Sequence, residues 1–102
     1  MTMTNTKEGT MNKEIKPESY VIIVDKAGEV IIAVILEDAG KRWLGYGYSL
    51  AAPEGEFGYF DESQVKAIIT KRQFNTLLKL LQGGKANEFL DKAAAILRKA
   101  RK

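Results

Sequence analysis

Residues Val30 to Leu36 read VIIAVIL, an unbroken apolar run dominated by β-branched side chains. A run of this length and composition is a β-strand, and successive side chains on a strand point to opposite faces. Neither face of this strand can be left to water. Helices packed on the sheet cover one face. The other must meet a second sheet layer, a curled part of the same sheet, or another copy of the chain. In a chain of 102 residues, whose polar, threonine-rich first seventeen are expected to form a disordered leader, a homodimer is the economical solution.

The rest of the chain supplies the partners of that strand. Tyr20 to Val24 is a strand, followed by a turn with glycine at Gly28. The central strand runs from Glu29 to Leu36, and Glu37 to Gly40 is the next turn. Arg42 to Leu50 and Glu56 to Phe60 give two more strands. Gln64 to Ile69 suits strand or helix, and the following residues decide for strand, because Thr70-Lys-Arg-Gln73 is a capping box opening a helix at Lys71. Ile69 and Phe74 flank that cap as a hydrophobic staple. Phe74, Leu77, Leu78 and Leu81 form the buried stripe of this helix, which Gly83-Gly84 ends. A second helix runs from about Ala86 to Ala100, with Phe89, Leu90, Ala93, Ile96 and Leu97 on its apolar side. Its three alanines at 93–95 permit close helix approach, including across a dimer axis. The expected fold is therefore α+β, an antiparallel β-meander of four to five strands followed by two C-terminal helices. It forms a single domain over 18–102 behind the leader 1–17.

Chemistry is restricted by what is missing. The chain has no cysteine and no histidine, so it has no disulfide framework and lacks the two commonest general-base and nucleophile side chains. Ser19, Ser49 and Ser63 have no evident activating partner. Glu54, Glu56, Asp61 and Glu62 are close in sequence without the ligand spacing of a cation loop, and read as loop charges. No glycine loop accompanies Lys66 or Lys71 to cradle a phosphate. No enzyme activity, cofactor or metal is expected. No apolar run is long enough to span a bilayer or to form a signal-peptide core, so a soluble, cytoplasmic protein without membrane contact is expected.

Two features point to a ligand. Tyr46-Gly47-Tyr48 and Phe57-Gly58-Tyr59 each set two rings side by side on one face of a strand and leave the opposite face bare at the glycine. Such rings form either a stacking platform for unpaired bases or an ordinary half-buried hairpin. Charge is divided along the chain: residues 1–60 carry six Lys/Arg against nine Asp/Glu, and residues 61–102 carry ten against four. A basic half of this kind attracts polyanions.

Glycine alternates with aromatics in Gly45-Tyr46-Gly47-Tyr48, a pattern that resembles the middle of the ribonucleoprotein octamer. The absence of a helix between the first two strands excludes the RNA recognition motif fold. A strand, the Thr70 cap ending in Gln73, Phe74, Leu77-Leu78 and the later Phe89-Leu90-Asp91-Lys92-Ala93 resemble the closing strand and helix of the transcriptional-coactivator single-stranded-DNA-binding family, of Whirly-like fold. That resemblance implies a dimer using a curved sheet and basic residues on unpaired DNA. Lys66, Lys71 and Arg72 would lie at the strand-to-helix junction and Lys41 and Arg42 in a hairpin turn, all contacting phosphates. The expected function is non-catalytic binding of single-stranded nucleic acid. Tyr46, Tyr48, Phe57 and Tyr59 would stack on bases, with Trp43 as an extra ring on the other face of its strand. The alternative is a small protein-interaction module, an inhibitor or regulator encoded by a phage or other mobile element, that docks on a host protein.

Overall fold

The computed structural model describes residues 15–100. Five strands, β1 (Tyr20–Val24), β2 (Val30–Asp38), β3 (Trp43–Tyr48), β4 (Glu56–Phe60) and β5 (Val65–Ile69), precede two helices, α1 (Lys71–Gln82) and α2 (Ala86–Ala100). The sheet order is β4-β3-β2-β1-β5, and every pairing is antiparallel. The α+β arrangement read from the sequence, an antiparallel sheet followed by two helices, is the fold observed; β1 to β4 form the meander and β5 returns to pair with β1.

Local chemistry accounts for the turns and the helix start. Oδ1 of Asp25 accepts from the amides of Ala27 and Glu29 at 2.9 and 2.8 Å, and Gly28 takes the positive φ of 84° that closes the first hairpin. The capping box is formed: Gln73 N donates to Thr70 Oγ1 at 3.0 Å, and Thr70 N donates to Gln73 Oε1 at 2.9 Å.

β4 and β5 lie at opposite edges of the sheet but are joined by residues 61–64 alone, three of which form a 3-10 turn, Glu62–Gln64. A flat sheet of this order would hold its edges roughly 19 Å apart, at about 4.8 Å per strand gap. A link that rises only about 2 Å per residue in its 3-10 turn cannot cover that distance. The sheet therefore rolls. Its inner face closes on Phe60 of β4, which is buried with Val21 and Ile23 of β1, Ala33 and Ile35 of β2, and Val65 of β5. The outer face carries Ile22, Ile32, Ala67 and Ile69, covered by Phe74, Leu77 and Leu81 of α1 and Phe89 and Ala93 of α2. A register shift between Ile22 and Ile23 in the β1–β5 pairing lets Val65 point inward while Ala67 and Ile69 point to the helices.

Of the three ways to cover the second face of β2, the chain uses the curled sheet. Ala33 and Ile35 on the inner face and Ile32 on the outer face are fully buried within one chain, so the inner face of β2 needs no second copy, while Leu36 at the end of the run stays 40% exposed. Ala93 likewise packs inside the helix-side core. Packing also starts earlier than Glu18: Ile15 is buried in the inner core, and Glu18 N donates to the carbonyl of Ile35 at 2.7 Å. The remainder of the expected leader, residues 1–14, lies outside the described residues. No described helix is long and apolar enough to cross a membrane.

Candidate interaction surface

Register places the rings. Tyr46 faces Phe57 across the β3–β4 ladder and Leu44 faces Tyr59, so Leu44, Tyr46, Tyr48, Phe57 and Tyr59 share the outer face. The spacing sets each pair of rings on one face of its strand, and the β3–β4 register brings both pairs to the same face. Ring centroids are 4.9 Å apart for Tyr46 and Phe57, 5.3 Å for Tyr46 and Tyr48, and 5.9 Å for Tyr48 and Phe74. Phe74 also lies 4.8 Å from Tyr20. A continuous aromatic row runs from the β4 edge to the helix-covered core.

The four rings differ in what covers them. The loop after β3 folds back over Tyr46 and Tyr48. Gly55 there has φ 89°, and a Cβ on it would lie 2.7 Å from Cε2 of Tyr48 and closer still to the Tyr46 ring. Tyr46 Oη donates to the carbonyl of Glu54 at 3.2 Å, and Gln82 Nε2 at the end of α1 donates to the carbonyl of Pro53 at 3.0 Å. The inner two rings are walled in. Phe57 and Tyr59 are open, at 69% and 58% exposure.

The glycines of both triplets serve the opposite face. A Cβ on Gly45, Gly47 or Gly58 would come within 3.1 to 3.3 Å of the Phe60 ring. The bare strip they leave across β3 and β4 seats that ring. Trp43 pairs with Phe60 on this inner face, opposite the other four rings, and is half-buried and packed against the inner core.

The predicted phosphate contacts do not form one group. Lys41 and Arg42 occupy the tip between β2 and β3, and Arg42 Nε is 3.1 Å from Asp61 Oδ1. Lys66 donates to the carbonyl of Ser63 at 3.0 Å. Lys71 and Arg72 open α1, where Arg72 faces α2. The open rings are flanked in sequence by Glu54, Glu56, Asp61 and Glu62, all at least partly exposed. Arg42, paired with Asp61, is the one predicted cation whose position next to the β3–β4 ladder is fixed by a contact, while Arg72 lies on the helix side. Sequence reasoning assigned no role to Lys92 and Lys99, which line a groove with Arg72; their seven-residue spacing on α2 was the available signal.

Comparison with protein-family models, curated proteins and solved structures finds no match for this chain.

Proposed function

We propose that the chain is a non-catalytic binding domain that docks an extended protein segment along β4. One observation carries this reading: two large aromatic side chains, Phe57 and Tyr59, stand exposed side by side on a strand that is hydrogen-bonded only to β3 among the described residues. Natural edge strands are blunted by lysine, proline or a bulge. β4 reads EFGYF, has none of these residues, and pairs with β3 without a register shift.

A strand added to this edge would make main-chain hydrogen bonds and set alternate side chains beside Phe57 and Tyr59. Exposed aromatics of this kind are the usual energetic centre of protein interfaces. The carboxylates of Glu54, Glu56 and Glu62 favour a partner whose alternate residues are Lys or Arg. Stacking of unpaired bases on the same two rings is the second reading. The ring spacing suits it, while the surrounding carboxylates repel phosphates.

The test is selection from a random peptide library on immobilised protein, followed by amide chemical-shift mapping. Enrichment of peptides alternating large apolar with basic residues, with shifts at β4 and binding lost in Phe57→Ala, is the expected result. Selected peptides that bind Phe57→Ala and Tyr59→Ala as well as the parent would overturn it. Shifts at β4 produced by a single-stranded oligonucleotide instead would favour the stacking reading.

A further inference from the structure

We infer that the groove between α1 and α2 is a second, separate site that takes the phosphate backbone of a nucleic-acid strand. Arg72, Gln73, Thr76, Lys92, Ile96 and Lys99 line an opening of about 380 Å3. An adjoining depression shares Thr76 and Lys92 with it and is reached by Lys79. The lining brings the first turn of α1 to the last turn of α2, so the helices run antiparallel. Arg72 and Lys79 stand seven residues apart on α1, and Lys92 and Lys99 seven apart on α2. Seven residues are two turns, roughly 10 Å of rise, so each wall carries two cations on one helix face.

The charges at the start of α1 run against the helix's own field. Its first turn holds Lys71 and Arg72 and no acidic residue. Cations at a helix N-terminus oppose the macrodipole, and an anion seated beside them removes the conflict. Gln73 uses its carbonyl oxygen on the Thr70 amide, which leaves its NH2 group as a further donor. Among the described residues none of the four groove cations has a carboxylate within ion-pair distance. Glu88 and Asp91 share the adjoining depression with both Lys79 and Lys92, so the uncompensated cations are those at the other end, Arg72 and Lys99.

Cations in two facing rows suit a chain of phosphates better than one phosphoryl group, which needs donors converging on a point. An anionic membrane fits less well, because no exposed large apolar side chain lines the groove to enter lipid. Lys99 in the last turn of α2 also complements that helix's dipole. That role does not account for Arg72 or Lys92. This site is independent of the β4 surface and does not depend on it.

The experiment is fluorescence anisotropy of the full chain with a labelled single-stranded oligonucleotide over a salt series, comparing the Lys92→Gln/Lys99→Gln double variant with Lys16→Gln/Lys26→Gln. All four lysines are exposed, and the second pair removes the same charge elsewhere. The parent is expected to bind with affinity that falls as salt rises. The groove variant should lose roughly tenfold in affinity and about 1.4 from the slope of log affinity against log salt, at about 0.7 per phosphate contact on a single strand. The control pair should bind as the parent does. No binding at low salt, equal losses in the two variants, or capture by phosphatidylserine vesicles that the oligonucleotide cannot displace would each overturn the assignment.

Discussion

The ring of Phe60 lies in the space that a side chain on Gly47 would enter: a Cβ there would stand 3.3 Å from Phe60 Cζ and 2.9 Å from Ile31 Cγ2. Gly45 is held as tightly, with a Cβ meeting the Val34 carbonyl oxygen at 3.0 Å and Phe60 Cε2 at 3.1 Å. The alternation of glycine and aromatics is therefore a two-sided device. Rings face outward on β3 and β4, and the glycines between them make room for the one ring that closes the rolled sheet.

Gly47→Ala should destabilise the fold. Overpacking a tight core site costs about 1–3 kcal/mol, against about 0.4–1 kcal/mol gained from a stiffer unfolded chain. A net loss of about 1–2 kcal/mol is expected in urea unfolding. A variant as stable as the parent would mean that Phe60 does not occupy this seat.

Tyr46→Ala and Phe57→Ala should separate folding from binding. Tyr46 touches Tyr48, Phe57 and the Gly55 loop, and donates to the Glu54 carbonyl. Truncating a large, packed aromatic costs about 3–5 kcal/mol when it is fully buried, so a loss of about 2–3 kcal/mol is expected for this half-buried ring. Phe57 is 69% exposed, and its removal should change stability by less than about 0.5 kcal/mol while weakening peptide capture. Thermal melts of both variants alongside the peptide assay check this. A Phe57→Ala protein that melts far below the parent would place that ring in the core.

Thr70→Ala removes one half of the capping box and leaves the Gln73 amide without its side-chain acceptor. A cost of about 1 kcal/mol is expected. Because α1 covers the outer face of β1 and β2 through Phe74, Leu77 and Leu81, that loss should appear in global unfolding and not only as fraying of the helix. Amide exchange decides: faster exchange confined to residues 71–75, with Leu77 protected as before, would show that the cap acts locally.

What could be read from the sequence is what neighbours decide. β1 and β4 match their expected limits, and α1 starts where the Thr70 cap places it, because a β-branched run in β1, alternating aromatics in β4 and a capping box all act within a few residues. The β5 assignment also followed from that cap. Rolling of the sheet was one of three open solutions for β2, since it depends on Phe60 reaching β1 and β5 across a short link, and no local pattern encodes that contact. The site was legible to the same extent. Parity paired Tyr46 with Tyr48 and Phe57 with Tyr59, and the β3–β4 register joined the two pairs on one face. Which of them stay open is set by the loop after β3, held by the bond between Gln82 and Pro53, partners 29 residues apart. The cations divided for a similar reason: Arg72 meets Lys92 and Lys99 only once the two helices have folded back on each other.

Gly28→Ala and Gly55→Ala form a matched pair that tests whether the loop is seated on the rings. Both glycines have strongly positive φ, 84° and 89°. A left-handed conformation costs a non-glycine residue about 1–2 kcal/mol wherever it occurs. Around Gly28 nothing lies within 4 Å of an added Cβ, so that variant should lose about 1–2 kcal/mol and no more. At Gly55 the same Cβ would run into the rings of Tyr46 and Tyr48. Overpacking adds about 1–3 kcal/mol there, and relief requires the loop to lift from the rings. Gly55→Ala should therefore be the less stable of the two and should show altered tyrosine fluorescence. Equal losses would mean that the loop stands clear of Tyr46 and Tyr48 in solution, and would return both rings to the set open to a ligand.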